Sequence, residues 1–424
     1  MNRPQGLKTP GLGWLRSPRR LVILLVLGLA AYFLLPAWAA PPASNYDALR
    51  LYTEALFEVS QKYVWPKNEE DMIYGSLRGM MNSLDPDSSF LTAKEYQSYL
   101  HGVERAPAEA GMDLVVKDGL LTAVSVIDGG PAAKDGLKPD DHIIKIDGQM
   151  VRNLTTQEAG RRFQGAPGTK FKLQVIRNGE VKPLDFTITL GPLGENTVVS
   201  KYLDNVAYVR IRYFNDETPV GLAAVLNNIK QHKPAVRGII LDLRNNARGS
   251  MEEAVRSASL FLGKQQVVIA KGRSPKTEQS YSGKERDQVF KTLPPIVVLV
   301  DQGTARAAEI MAAALRDQAR ATLLGAKSLG LCGLTKAFPL EDGSALVMTV
   351  AQCYSPKGVK IPGKGLEPEV TGQKPTAEKA LKKAPAPEKA APVVSPEQDP
   401  WVLQAKDLLI SGKPKPVAPK EPTT

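Results

Sequence analysis

Three histidines, two cysteines and one glycine-rich turn are the places where residue type alone could support chemistry in this 424-residue chain. A histidine base needs a nucleophile within hydrogen-bond reach and a third group that orients its ring. His142 lies in an apolar run that reads as a strand, and His101 and His232 lie at the ends of polar segments. No Gly-x-Ser-x-Gly elbow occurs anywhere. The segment from Gly165 to Lys170 (GAPGTK) mimics a phosphate loop but reads better as a hairpin turn between short β-runs. So few His and Cys supply neither a structural zinc site nor a disulfide scaffold, so no metal and no cofactor is expected.

The two cysteines carry a further reading. Asp342-Gly343 suits a two-residue hairpin turn flanked by Glu341 and Ser344. Counting outward from that turn puts Cys332 opposite Cys353, at a non-hydrogen-bonded position where Cα atoms lie about 4.5 Å apart. Pro339 would then occupy a hydrogen-bonded position, where a bulge would shift the register. The pair therefore reads either as a disulfide, in an oxidising compartment, or as two buried thiols.

The elements that must position such groups follow from periodicity. Residues 44–103 are helical in pattern: Leu49, Leu51, Tyr52, Leu56, Val59 and Tyr63 recur at helix-like spacing, and Met72 to Met81 repeats it. Residues 104–190 alternate short Val/Ile/Leu runs with Asp-Gly, Gly-Gly, Pro-Gly and Asn-Gly turns around one helical stretch, Thr156 to Phe163. That pattern predicts a small β-rich domain. Over residues 191–372, apolar strands (Val206–Ile211, Gly238–Leu243, Ile296–Val300) alternate with amphipathic helices (Pro219–Gln231, Met251–Leu262, Ala305–Ala319). Strand-helix alternation of this kind predicts an α/β core. Residues 373–424 are Lys/Ala/Pro-rich and too poor in apolar residues to bury themselves, except for a short helix near 400–410.

Charge and export narrow the function classes. The formal charge is +11, but five basic residues without an acid lie in residues 1–20, and residues 371–424 hold nine Lys against six acids. The remainder carries no basic footprint for nucleic acid. Residues 21–40 (LVILLVLGLAAYFLLPAWAA) are uncharged and long enough to span a bilayer. The preceding basic residues stay in the cytoplasm, so everything after residue 40 is exported. Ala37-Trp38-Ala39 also fits a signal-peptide cleavage site, which leaves signal peptide and uncleaved anchor both open. The expected location is the bacterial periplasm or the outer face of the cytoplasmic membrane, with membrane contact only through this segment.

Several segments in order carry a resemblance: IYGSLRGMMNSLDPDSSFLTAKEY (73–96), GIILDLRNN (238–246), SASLFL (257–262), VVLVDQGTARAAEIMAAALRD (297–317), GAKSLG (325–330), FPLEDGSAL (338–346) and GKGLEPEV (363–370). Together they resemble the carboxyl-terminal processing proteases, exported PDZ-bearing serine proteases that cut near the C-termini of other proteins. The resemblance implies an α/β core of the carboxyl-terminal protease type, an inserted β-rich PDZ domain and an N-terminal helical segment. In such a PDZ domain an extended peptide tail adds to a strand, and clustered loop N–H groups receive its carboxylate. The corresponding residues are Gly111, Met112, Asp113 and Leu114, with Glu109 at the position of the loop's first Gly. Glu109 would repel a carboxylate, and Met112 and Leu114 read equally well as plain core.

The family chemistry needs a Ser activated by a neutral Lys, a Gln that orients the Lys, and two N–H groups facing the oxyanion. The family run Gly-Ser-Ala-Ser-Ala-Ser-Glu, with its second Ser as nucleophile, corresponds to Gly303–Glu309, which puts Arg306 at the nucleophile position. The Phe-Gly-Lys-Gly context of the base corresponds to Leu329–Cys332, which puts Leu331 at the base position and Thr335 at the orienting Gln. The oxyanion loop, usually Asn-Asn-Pro-Gly-Gly, reads Asn245-Asn246-Ala247-Arg248-Gly249. Relocated groups could only be Thr304, Ser328 and Lys327. Thr304 reads as a helix N-cap facing away from the old site, with Glu309 supporting the same first turn. Lys327 reads as a surface amine.

Arg306 at a helix start is expected to reach solvent, pair with a carboxylate or bind an anion, and with Arg248 it is expected either to make the cleft a basic pocket for a carboxylate or to be one of two solvated side chains. The leading expectation is a pseudoprotease that binds polypeptide C-termini or an active relative through the PDZ domain. An active peptidase with relocated groups is the alternative. A third reading is a cell-envelope subunit that self-assembles, with a homo-oligomer formed through the N-terminal helices.

Overall fold

The computed structural model describes residues 45–100, 107–117, 119–151, 154, 156–194, 196–373 and 395–412. The expected signal segment or anchor (1–40), His101 and most of the Lys/Ala/Pro tail (374–394 and 413–424) lie outside the described residues. No helix among the described residues is long and apolar enough to cross a membrane. Backbone contacts divide the chain into two units, residues 1–73 and 74–424.

In the first unit, α1 (Asn45–Lys62) leaves Leu49, Leu51, Phe57 and Val59 exposed. Helix α2 (Glu69–Asn82) runs across the division and opens with Glu69, Glu70 and Asp71, which favour the positive end of its dipole. The second unit continues with β1 (Ser89–Leu91) and α3 (Ala93–Leu100). Strand β1 corrects the all-helical expectation for 44–103. Phe90 and Leu91 are fully buried, and this three-residue strand is too short to show a period in sequence.

The β-rich domain comprises β2 (Ala108–Glu109), β3 (Met112–Lys117), β4 (Leu120–Val126), α4 (Pro131–Lys134), β5 (Asp141–Ile146) and β6 (Gln149–Met150), then α5 (Thr156–Arg162), β7 (Gln164–Gly165), β8 (Lys170–Ile176) and β9 (Leu184–Thr189). Its main sheet runs β3-β4-β5-β8-β9, with β6 on β5 and a separate β2–β7 pair. Leu121, Ile143, Phe163, Leu173 and Ile188 fill its core. The segment 165–170 is not a hairpin turn, because β7 pairs with β2 whereas β8 pairs with β9. A strand rather than a helix follows it, so it has no phosphate-loop geometry.

The core comprises β10 (Val198–Leu203), β11 (Val206–Ile211), α6 (Thr218–Gln231), β12 (Gly238–Asp242), α7 (Met251–Leu262), β13 (Gln266–Gly272) and β14 (Gln279–Ser282). It continues with β15 (Ile296–Val300), α8 (Ala307–Ala319), β16 (Thr322–Gly325), β17 (Gly333–Pro339), β18 (Ala345–Tyr354), β19 (Val370–Thr371) and α9 (Pro400–Ser411). The central sheet runs β10-β11-β12-β15-β16-β19, parallel from β11 onward. Helices α6, α7 and α8 bury Leu226, Phe261 and Met311 with Val209, Leu241 and Val298 on one face. Helix α9 covers the other face, where Trp401, Val402 and Ala405 meet Ile240, Leu299 and Leu324. Helix α7 starts at a capping box in which Ser250 and Glu253 each accept from the other's backbone N–H.

A second sheet runs β1-β18-β13-β14, with β17 on β18. The β17–β18 connection has three residues rather than two. Leu340 N–H donates to Ser344 O at 2.8 Å, Gly343 has φ 82°, and Asp342 accepts from both the N–H and the hydroxyl of Ser344. Pro339 therefore pairs with Ala345, and a register shift between Leu334 and Thr335 restores the expected pairing beyond it. The two changes cancel at the cysteines. Cys332 and Cys353 are joined by a disulfide with Cα atoms 5.6 Å apart. Cys353 N–H donates to Cys332 O at 3.3 Å, so the site is not the non-hydrogen-bonded one that a two-residue turn would give.

Candidate functional site

The site is assembled where β15 ends and the chain turns into α8. Asp301 accepts from Asn245 N–H at 2.8 Å, Gly303 N–H at 3.0 Å and the Thr304 hydroxyl at 3.1 Å. Burial pushes its carboxyl above the ordinary value. Thr304 is fully buried; its hydroxyl accepts from Asp301 N–H, and its one proton is shared between Asp301 Oδ1 and Leu243 O, 2.9 Å away. It is therefore not the helix N-cap expected from sequence. That place belongs to Arg306, with φ 50° and ψ −116° and no capping side chain. Such a backbone costs on the order of 1–3 kcal/mol for a residue with a Cβ, and the surrounding bonds hold it there. Ala305 N–H donates to Asn246 O and Arg306 N–H to Leu331 O, each at 2.9 Å. The turn thus ties the loop 245–249, the α8 start and the segment 329–331 together.

The Arg306 guanidinium turns inward. Nη1 donates to Ala247 O at 2.7 Å and Nη2 to Asp87 Oδ1 at 2.6 Å. Burial disfavours its charge, but Asp87 outweighs this and holds its pKa above the ordinary value. Beside it, Leu331 and Leu329 pack against Val115 and Val124 of the β-rich domain and Ala247 and Ala305 of the core. Thr335 lies farther along, in β17 opposite Thr349.

Arg248 reaches into the β-rich domain. Its Nε donates to Asp113 Oδ1 at 2.8 Å and its Nη1 to Glu109 Oε2 at 2.9 Å, while Nη2 lies 3.5 Å from Met112 O. The guanidinium also sits 5.8 Å from the centre of the Tyr213 ring. Burial opposes the charge, and Asp113 and then Glu109 more than restore it. The basic pocket and the pair of solvated arginines both give way to carboxylate pairing, the remaining expectation for Arg306, because each guanidinium is paired with a carboxylate of this chain. Gly249 has φ 119°, and an added Cβ would collide with Phe214, so only glycine fits there. Asn245, at φ 52°, accepts from Val126 N–H at 2.8 Å and donates to Val126 O. The loop 245–249 is thus one of the elements that fasten the two domains, beside the Arg210–Asp128 ion pair.

Glu309 does more than support the first turn of α8. It is fully buried and accepts from the Ser328 hydroxyl, from Gly330 N–H at 2.7 Å and from Leu331 N–H at 3.0 Å. Burial raises its pKa to about 7 against these three donors. Ser328, 5% exposed, also accepts from Leu366 N–H at 2.7 Å. Lys327 is an exposed amine 3.8 Å from Glu367.

A cleft of about 1030 Å³ opens between the domains, lined among others by Asp87, Glu109, Gly111, Asp113, Arg248 and Arg306. Thr304, Ser328 and Lys327 do not line it. Gly111 has φ 73° and its carbonyl accepts from Ile127 N–H at 2.8 Å. Met112 and Leu114 are 7% and 5% exposed, pack in the β-rich core and also line the cleft, so both of their readings stand. Among the described residues no His/Cys/Asp/Glu group could hold a metal ion. His142 bonds Thr122 within the sheet, and His232 stacks on Tyr202.

Comparison with known proteins places the site in context. The model of peptidase family S41 matches residues 205–371, and a PDZ-domain model matches residues 109–188. The carboxy-terminal-processing protease of Bartonella bacilliformis is 31% identical over 79% of this chain and 77% of its own length. This chain belongs to the carboxyl-terminal processing protease family. The carboxy-terminal processing protease CtpA of Bacillus subtilis is 33% identical over 78% of this family member and 70% of its own length. The solved photosystem II D1 C-terminal processing protease superposes with a TM-score of 0.63 at 24% identity, covering 76% of this chain and 92% of that one. The fold is the family's: a PDZ domain set before a mixed α/β peptidase core, with N-terminal helices.

The positions assigned by resemblance to nucleophile, base and oxyanion loop (306, 331 and 248–249) come together in this family fold. Sequence reasoning missed Asp87 and Tyr213; it placed Asn245 in the oxyanion loop but missed its bonds to Val126, and it missed the role of Glu309. Asp87 lies 219 residues from Arg306, and no local pattern marks such a pairing.

Proposed function

We propose that this family member binds polypeptide through its PDZ domain and does not hydrolyse it. One observation carries the reading: at the start of α8, where the resemblance expects a nucleophilic serine, the Arg306 side chain fills the space and bonds Ala247 O and Asp87. Peptide hydrolysis of the family type needs a nucleophile beside a base of matched pKa. Here the neighbouring base position is the aliphatic Leu331, packed into an apolar seam. The partner is a polypeptide C-terminus or an active relative.

The basic residues before residue 21 and the uncharged run after them support export to the bacterial periplasm or the outer face of the cytoplasmic membrane. The exposed apolar residues of α1 support pairing between chains, which gel filtration with and without that segment would detect.

The alternative is an active serine-type endopeptidase using Thr304, Ser328 or Lys327. No observation favours it, because Thr304 and Ser328 are buried with their hydroxyls engaged and none of the three lines the cleft.

The test follows binding and cleavage in one sample: full chain, a labelled unfolded protein, and anisotropy read beside product masses. Retained binding without products is expected from wild type and from Arg306→Ala. Cleavage abolished by Thr304→Ala or Lys327→Ala would establish a relocated site instead.

A further inference from the structure

Strand β3 ends the main sheet of the β-rich domain, with β4 along one of its sides. Gly111 O accepts from Ile127 N–H, just past the end of β4, at 2.8 Å. By the two-residue period of a strand, the N–H and C=O groups of Met112, Leu114 and Val116 then point away from β4. A polypeptide that adds to β3 as a further strand must pair with these groups. One of them is already engaged. Val116 N–H donates at 3.3 Å to the hydroxyl of Thr156, the first residue of α5. An added strand runs about 4.8 Å from its neighbour, and at Val116 the Thr156 side chain stands in that space. The cleft ends at the same place, because its lining takes in Met112, Asp113, Leu114 and Thr156 but neither Val115 nor Val116.

Helix α5 is held where it is. Arg78 Nε of α2 lies 2.9 Å from Glu158 Oε1, and Arg161 Nη2 lies 2.7 Å from Glu95 Oε1 of α3. Glu95 is placed in turn by Thr92, whose N–H donates to Glu95 Oε2 at 2.8 Å. Ala159 and Phe163 are buried in the core of the β-rich domain, which fixes the same helix from within. Pairing a ligand with Val116 would disturb these contacts and gain no hydrogen bond, since the ligand carbonyl only replaces the Thr156 hydroxyl as acceptor.

We propose that a polypeptide adds to β3 over only about three residues, opposite Met112–Leu114, and that Thr156 sets this limit. The inference rests on the polypeptide-binding reading above and deepens it by naming the length of chain recognised. Beyond those residues the bound chain leaves β3, so recognition falls on a short segment rather than a long extended one.

The test uses the full chain and two acetylated apolar peptides, of three and six residues with the same C-terminal sequence, each competing with one fluorescent hexapeptide in an anisotropy assay. Wild type is expected to bind the two within about twofold of each other. Thr156→Ala, which removes both the cap and the bulk, should favour the hexapeptide over the tripeptide by about fivefold, roughly the worth of one net hydrogen bond. Thr156→Ser, which keeps the hydroxyl, should restore the wild-type ratio. A hexapeptide bound by wild type several-fold more tightly than the tripeptide, or a ratio unchanged in Thr156→Ala, would overturn this inference and leave polypeptide binding intact. Binding of neither peptide by wild type or by Thr156→Ala would overturn both.

Discussion

Replacing Glu309 with glutamine should change how stability depends on pH, in a direction fixed by its surroundings. The carboxyl is fully buried, faces three donors and no cation within bonding distance, and titrates near 7 in the folded chain against 4.5 as its ordinary value. Because the folded value is raised, the folded state holds a proton that the unfolded state releases between these two values. Stability is therefore unaffected by this group below pH 4.5 and falls as pH rises to about 7. The full cost above pH 7 is about 3 kcal/mol, at about 1.4 kcal/mol per pKa unit. Asp242 has the opposite sign and a separate window. Burial would raise its pKa, but Arg210 and then Arg244 hold it well below the ordinary carboxylate range, so its contribution is lost only in stronger acid.

Glu309→Gln keeps one acceptor oxygen, gives up another and stays neutral throughout. Relative to wild type it should be less stable near pH 4.5, by about the 1–3 kcal/mol of an unsatisfied donor, and should gain about 3 kcal/mol on that footing by pH 8. Urea unfolding of both proteins at pH 4.5, 6, 7 and 8, with the disulfide intact, measures the difference. Parallel pH profiles would refute the assignment of a buried, proton-holding Glu309.

Three further outcomes follow from the same contacts. Cys332→Ser with Cys353→Ser should lower stability by about 3 kcal/mol, from the loop entropy of a 21-residue separation, and an unchanged melting temperature would contradict the crosslink. Asn245→Ala should cost about 2 kcal/mol, because it removes both bonds to Val126 and places a less tolerant residue at φ 52°. Hydrogen exchange of β4 should rise with it, and unchanged protection there would count against the loop as a fastener. Asp399→Ala should destabilise the docking of α9 by about 1–2 kcal/mol. It removes the N-cap acceptor of Trp401 and Val402 and the carboxylate 2.8 Å from Arg244. Faster proteolysis after residue 395 is the expected sign.

The sequence made the elements with strong local signatures legible. Ile296–Val300 is five buried apolar residues in a row, and the amphipathic run Met251–Leu262 is helix α7. The short strand β1 was not legible, because its partners Ala345 to Val347 lie far along the chain and supply its only regular bonding. The hairpin was misread by one residue because the Asp342 carboxylate tightens the turn around Ser344, and a bulge near Leu334 hides the change at Cys332. The positions 306, 331 and 248 were found by resemblance. Of the partners that decide their chemistry, Asp87 was not found, and Glu109 and Asp113 were found only as peptide-loop residues and not as partners of Arg248, because opposite charges separated by 135 to 219 residues carry no period or motif.

The central claim is that the inherited cleft binds polypeptide without cutting it. Its most direct test is intact-mass spectrometry of an unfolded substrate protein after prolonged incubation with an equimolar amount of the full chain. The account predicts that the substrate mass stays unchanged while the substrate remains bound. Fragments that appear with wild type and disappear with Thr304→Ala, Ser328→Ala or Lys327→Ala would contradict it.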